Sequence, residues 1–122
     1  MSAHILLIDD DPDALRTTEI LLSHLGYLVE TARNGREGLR KFRAKTPDMV
    51  LTDIIMPDTE GIETIMELRR LQPNMKIVAM SGGGLMNKSS LLDITLRLGA
   101  NQTLAKPFDA QQLAHVVERA LA

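Results

Sequence analysis

Short apolar runs alternate five times with longer segments of helical period along this chain, and no other feature limits its possible folds as strongly. A βαβα order is typical of a parallel sheet covered by helices on both faces. The apolar runs mostly lack the alternating polar residues of a half-exposed strand, which indicates strands buried on both faces. We expect strands at residues 5–8, 27–31, 49–52, 76–80 and 102–105.

The segments between these strands carry signals for helix ends. Asp11 and Pro12 provide an N-cap and a first-turn proline, and Gly26 offers a left-handed stop for the same helix. Asn34 followed by Glu37 resembles a capping box for the second helix. With a helix after each strand, the sequence predicts an α/β fold in which five helices cover a five-stranded parallel sheet.

Length and composition restrict the class of protein. A chain of 122 residues without a linker, repeat or low-complexity stretch predicts a single domain over residues 1–122, with no output domain. Zero cysteines exclude disulfides, thiolate metal sites and catalytic thiols. The N-terminal residues lack the features of a signal peptide and no run of about 18 apolar residues occurs, which predicts a cytoplasmic protein without membrane contact. A net charge of −2 with basic residues spread along the chain predicts no nucleic-acid contact.

Polar side chains gather where the predicted strands end. Aspartates occupy positions 9–11 after the first strand, Asp53 follows the third, Ser81 the fourth and Lys106 the fifth. Each one alone is an ordinary cap, turn or solvated residue. The strands of a parallel sheet all present their carboxyl ends at one edge, where ligands bind, so we expect these side chains to meet there.

A cluster of carboxylates at that edge requires a compensating cation. Carboxylates within a few ångströms of one another raise each other's pKa unless positive charge is nearby. Mg²⁺ prefers oxygen ligands and commonly pairs one or two carboxylates with a phosphate oxygen. The sequence therefore predicts a Mg²⁺ site.

Four segments carry a resemblance to a known family: LLIDDD, PDMVLTDIIMPDTEG, VAMSGG and LAKPF. In this order and at these strand ends, they resemble the signature blocks of the response-regulator receiver domains of two-component signal transduction. The resemblance covers the whole chain. It implies a flavodoxin-like, doubly wound sheet with strand order 2-1-3-4-5.

The same resemblance assigns the metal ligands and the phosphoacceptor. It makes Asp53 the residue that is phosphorylated and Asp10 a direct ligand of Mg²⁺. Asp9 would act on the ion mainly through water, and Ile55 would contribute its backbone carbonyl.

The remaining assignments concern the phosphoryl group and its donor. Ser81 would donate a hydrogen bond to the phosphoryl group, and Lys106 would neutralise its charge from a cis Lys106–Pro107 peptide. The donor would be a phosphohistidine on a histidine kinase or a histidine phosphotransfer protein. The resemblance implies a switch that assists its own phosphorylation and dephosphorylation, not an enzyme.

One position departs from the family pattern. Thr103 stands three residues before the lysine, where family members often carry a tyrosine or phenylalanine that takes part in the conformational switch. We therefore expect the signal to pass through Ser81, the loop of Gly82, Gly83 and Gly84, and the helix that follows.

That predicted helix, between the fourth and fifth strands, has two apolar stripes. Leu91, Ile94 and Leu98 form one, and Leu92 and Leu96 form the other. The second stripe either packs against a neighbouring helix or serves as a docking surface for a downstream protein or a second copy.

Two alternatives stay open from sequence alone. The segment LIDDDPD also resembles the start of a haloacid-dehalogenase-like phosphatase, in which Asp9 would be the nucleophile. The chain could also be a flavodoxin-like cofactor-binding module or a degenerate receiver that serves only as a scaffold. Identifying whether Asp9 or Asp53 is phosphorylated separates the phosphatase from the receiver.

Overall fold

The structure is a computed structural model that describes residues 2–54, 60–82, 93 and 96–122. Its strands are β1 (His4–Ile8), β2 (Leu28–Ala32), β3 (Met49–Asp53), β4 (Lys76–Ser81) and β5 (Gln102–Ala105). Its helices are α1 (Pro12–His24), α2 (Gly35–Ala44), α3 (Glu60–Leu71) and α4 (Ala110–Leu121). The helix predicted between the fourth and fifth strands falls largely outside the described residues.

All five strands are parallel and lie in the order β2-β1-β3-β4-β5. The predicted fold class is thereby confirmed. Strand bounds agree with the prediction to within a residue. The second strand begins one residue late because the backbone N–H of Tyr27 still donates to the carbonyl of Leu22 in the turn that ends α1. No helix in the described ranges is both long enough and apolar enough to cross a bilayer.

Two hydrophobic clusters cover the two faces of the sheet, because side chains alternate along each strand. On one face, Leu6 and Ile8 of β1 pack with α2 and α3. On the other, Ile5 and Leu7 pack with α1 and α4. Each fully buried aliphatic side chain contributes roughly 1.5–3 kcal/mol. These two layers hold the central strands β1 and β3 rigidly enough to position polar groups at their ends.

Helix caps fix the loops that leave the sheet. The Asp11 carboxylate accepts a hydrogen bond from the backbone N–H of Asp13 at 3.0 Å, as predicted for the start of α1. Asn34 caps α2, but the side chain of Glu37 pairs with Lys41 at 3.3 Å and does not complete a capping box. A full capping box occurs at the start of α4, where Asp109 and Gln112 satisfy each other's backbone N–H groups.

The amino-terminal edge of the sheet is cross-linked by Arg69 at the end of α3. Its guanidinium donates to the carbonyls of Pro73 and Met75 at 2.7 and 2.8 Å, and to the carbonyl of Gly99. Gly99 has φ +113°, and a Cβ there would lie 2.9 Å from the Arg69 Nε atom. The arginine therefore joins the segment before β4 to the segment before β5.

Candidate functional site

Three aspartates meet at the carboxyl ends of β1 and β3. The two strands are neighbours with Ile8 opposite Thr52, so the residues that follow, Asp9 and Asp53, are adjacent. Carboxylate oxygens of Asp9, Asp10 and Asp53 all lie within 4.8 Å of one another. Asp9 is 0% exposed and Asp53 is 5% exposed, whereas Asp10 is exposed to solvent. Carboxylates this close repel one another, and a cation beside them offsets that repulsion.

Lys106 supplies positive charge to this cluster from the end of β5. Its Nζ atom donates to Asp9 Oδ2 at 2.7 Å and to Asp53 Oδ2 at 2.9 Å. The side chain passes over Gly82, where an added Cβ would lie 3.7 Å from the lysine Cδ atom. The Lys106–Pro107 peptide bond is cis, as the sequence resemblance implied.

The charge state of Lys106 follows from two opposing effects. Burial disfavours the ammonium ion and is the largest single influence, and it lowers the pKa. The hydrogen bonds that Lys106 donates to Asp9 and Asp53, together with the negative charges of these carboxylates, outweigh it, so the pKa of Lys106 is raised above its usual 10.5. The lysine is therefore a cation throughout the neutral range.

The two oxygens of Asp9 both accept hydrogen bonds. Oδ1 accepts from the backbone N–H of Asp11 at 3.0 Å, and Oδ2 accepts from Lys106. Asp11 therefore both caps α1 and orients a buried carboxylate. Among the three clustered aspartates, Asp10 is the exposed one and is therefore the most accessible to an incoming ligand.

Ser81 places an unsatisfied hydroxyl at the same edge. The residue is 0% exposed, and its Oγ atom has no hydrogen-bond partner within the described part of the chain. Its carbonyl accepts a hydrogen bond from the backbone N–H of Lys106 at 2.7 Å, which joins the end of β4 to the residue that follows β5. Buried hydroxyls without a partner are uncommon, so this group is available for a ligand.

The structure describes only some of the other predicted site residues. Gly82 is half-buried beside Lys106, and Thr103 is half-buried in β5 opposite Ala79. Ile55, Gly83 and Gly84 lie outside the described residues. The sequence predictions did not include the direct contact between Asp9 and Lys106. A usable signal existed, because a buried carboxylate at one strand end requires a cation and Lys106 is the basic residue predicted at that edge.

A model of the family described as "Response regulator receiver domain" matches residues 5–118. This chain belongs to that family. Its receiver fold and its acidic cluster are those expected of the receiver domains of two-component response regulators, and no comparison supports the phosphatase alternative.

Individual relatives show how the receiver sequence is used elsewhere. The transcriptional regulatory protein GlrR of Escherichia coli (strain K12) is 33% identical over 121 residues, which cover 98% of this chain and 26% of that protein. The chemotaxis protein CheY of Thermotoga maritima is 29% identical, with 98% of each chain covered. The receiver described here thus spans about a quarter of some curated relatives and nearly all of others.

Solved structures agree with this assignment. NtrX from Brucella abortus superposes with a TM-score of 0.92 at 30% identity, covering 99% of this chain and 28% of that one. A response regulator receiver domain protein from Clostridium thermocellum gives a TM-score of 0.88 at 32% identity, covering 98% and 94%. The receiver fold is therefore shared over the full length of this chain.

Proposed function

We propose that Asp53 accepts a phosphoryl group from a phosphohistidine on a histidine kinase or a histidine phosphotransfer protein. The observation that carries this proposal is the pair of hydrogen bonds from Lys106 Nζ to Asp53 at 2.9 Å and to Asp9 at 2.7 Å. They place a permanent cation beside a carboxylate at the ligand-binding edge of the sheet. A phosphoryl group attached to Asp53 would therefore lie next to that cation.

The residues at this edge fit Mg²⁺. Hard oxygen donors are the ligands that Mg²⁺ prefers, and three carboxylates within 4.8 Å provide them. Asp10 and Asp53 would hold the ion directly, and Asp9, whose oxygens accept hydrogen bonds from Lys106 and Asp11, would act through water. When bound, the ion supplies charge that neutralises phosphoryl oxygens. The predicted carbonyl ligand, Ile55, lies outside the described residues.

The transfer needs little covalent chemistry from the protein. A carboxylate oxygen of Asp53 forms a bond to phosphorus, the phosphorus–nitrogen bond of the phosphohistidine breaks, and the imidazole keeps the electron pair. The product is an acyl phosphate on Asp53. Transfer of this kind depends on positioning and on stabilising the charge of the equatorial oxygens. Lys106 meets the second requirement because it remains protonated.

Ser81 would contribute the remaining contact. Its buried Oγ atom has no partner among the described residues, so its hydroxyl can donate to a phosphoryl oxygen without first losing another hydrogen bond. This contact would connect phosphorylation of Asp53 to the end of β4 and to Gly82. With Thr103 in place of an aromatic residue, we propose that the signal leaves through this route and the glycine loop.

Several predictions extend this proposal. We propose that the chain acts as a switch and not as an enzyme, and that it signals by contact with a downstream protein or a second copy. The single-domain organisation and the cytoplasmic location remain predictions. The docking surface predicted on the helix between β4 and β5 falls largely outside the described residues.

The proposal is tested by incubating the protein with acetyl phosphate and Mg²⁺ and measuring intact mass, followed by peptide mapping. We expect the mass of one phosphoryl group on the wild type and none on Asp53→Asn. Asp9→Asn is the second variant compared. Phosphate mapped to Asp9 in the wild type, and absent from Asp9→Asn, would favour the phosphatase. Absence of any adduct on the wild type would refute the proposed function.

A further inference from the structure

Although basic residues occur along the whole chain, six of the fourteen lie in and next to α2. Residues 33–45 contain six arginines and lysines against one glutamate, a net charge of +5, so the remainder of a chain with net charge −2 carries −7. Arg36, Arg40 and Arg43 are four and three residues apart, which places them on one face of the helix. We refer to these three residues as the arginine stripe. The receiver is therefore strongly polarised in charge.

The arginine stripe is accessible. All three side chains are exposed, and that of Arg43 is 56% exposed although it lies 3.6 Å from Glu67. Arg40 forms no ion pair with any residue in the described ranges. An exposed pair such as the one between Arg43 and Glu67 contributes little, so a partner with better geometry can replace it at small cost.

An open groove of about 730 Å³ runs beside the stripe, between α2 and α3. Arg36 and Arg43 line one wall, Glu63 and Glu67 line the other, and Leu39 provides an apolar part of the lining. Leu39 is only partly buried where it packs against the core. The groove thus offers a basic wall, an acidic wall and an apolar contact.

The combination of basic, acidic and apolar residues in the groove favours a protein partner over a nucleic acid or a membrane. A nucleic acid laid across the groove would bring phosphates against Glu63 and Glu67, and like charges in contact are costly. A membrane surface would require several exposed apolar side chains, and in the described residues α2 and α3 together carry one large exposed hydrophobic residue, Met66. A protein segment can place carboxylates on one side and an apolar side chain beside them. Arginine also matches carboxylates with two parallel hydrogen bonds.

We propose that the groove between α2 and α3 docks an acidic segment of a partner protein. The carboxylates of that segment contact the arginine stripe, and an apolar side chain contacts Leu39. This surface is separate from the aspartate cluster, so the inference does not depend on phosphorylation of Asp53.

The test uses a fluorescein-labelled peptide of repeated Glu-Glu-Leu and fluorescence anisotropy at low and high salt. The triple variant Arg36→Gln/Arg40→Gln/Arg43→Gln is compared with Arg16→Gln/Arg97→Gln/Arg119→Gln, which removes the same charge from exposed arginines elsewhere. We expect saturable, salt-sensitive binding that the first variant weakens by about ten-fold and the second leaves nearly unchanged.

Three results would overturn the proposal. The first is the absence of saturable binding to the peptide, and the second is equal weakening by both triple variants. The third is tighter binding, through the arginine stripe, of a mixed-sequence DNA duplex or of phosphatidylglycerol vesicles, either of which would assign the surface to that class of ligand. Amide chemical-shift changes confined to α2 and α3 would confirm the location.

Discussion

Replacing Lys106 with methionine is expected to destabilise the metal-free protein by about 3 kcal/mol. The lysine Nζ atom lies 2.7 Å from Asp9 and 2.9 Å from Asp53. At an effective dielectric constant of about 20, each attraction is worth about 6 kcal/mol before the cost of desolvating the ammonium group. Without the lysine, two carboxylates no more than 4.8 Å apart repel by at least about 3 kcal/mol. Because the lysine side chain is still 21% exposed, we place the loss at the low end of the range for broken buried pairs.

The assays are urea unfolding and thermal unfolding, each followed by far-ultraviolet circular dichroism, in chelator and in Mg²⁺. In chelator, a loss of this size should lower the melting temperature by roughly 10 °C. Mg²⁺ should stabilise the variant more than the wild type, because the ion compensates carboxylates that no longer have a lysine. Lys41→Met is the matched control. Lys41 pairs with Glu37 while 30% exposed and also donates to the carbonyl of Thr31, so its replacement should cost about 1 kcal/mol.

A cost below about 1 kcal/mol for Lys106→Met in chelator, the value of an ordinary exposed pair, would contradict this prediction and would mean that solvent compensates the carboxylates. Equal stabilisation of both proteins by Mg²⁺ would also contradict it, because the ion and Lys106 would then not compensate the same carboxylates.

Further variants test individual contacts. Ser81→Ala should slow phosphorylation by acetyl phosphate yet leave the free energy of unfolding unchanged or higher, because it removes a buried hydroxyl without a partner in the described residues. Asp11→Ala should lower stability by about 1 kcal/mol and Asp11→Asn by less, measured by urea unfolding, because asparagine still caps α1. Gly61→Ala should cost about 1–3 kcal/mol or more in the same assay, since its Cβ would lie 2.5 Å from the backbone of Ile54. The raised pKa of Lys106 means that its stabilising charge is present below pH 10.5 and is lost as the pH rises through that pKa. The difference in stability between wild type and Lys106→Met should therefore shrink in strongly alkaline solution.

Much of the fold was predictable because burial on both faces leaves a clear pattern. Strands such as β1 and β4 are almost continuously apolar between their end residues, and Gly26, with φ +96°, ends α1 where the sequence indicated. The second strand was predicted one residue early, because hydrophobicity alone does not show that the N–H of Tyr27 is used by the helix before it. The Asp109 and Gln112 capping box was available in the sequence as an Asp-x-x-Gln pattern and was missed.

The residues of the site could be predicted from the sequence, but the contacts between their side chains could not. That Asp9, Asp53 and Lys106 share one edge follows from the parallel arrangement of the strands. That Lys106 reaches Asp9, 97 positions away in sequence and three strands away in the sheet, depends on the path of one flexible side chain. Local patterns contain no information about such a path. The capping box predicted at the start of α2 is incomplete for a similar reason. Sequence alone does not show that the side chain of Glu37 pairs with Lys41.

The hydrogen bonds made by Arg69 imply that the amino-terminal ends of β4 and β5 separate less readily than their carboxyl-terminal ends. Asn101 strengthens this edge, because its side chain accepts the N–H of Ile77 at 2.8 Å while its own N–H donates to the Ile77 carbonyl at 2.7 Å. Backbone amides here should therefore be among the slowest in the molecule to exchange with deuterium. With this end anchored, we expect a change in charge at Asp53 to shift the loops at the carboxyl ends of the strands more than the segments that Arg69 joins.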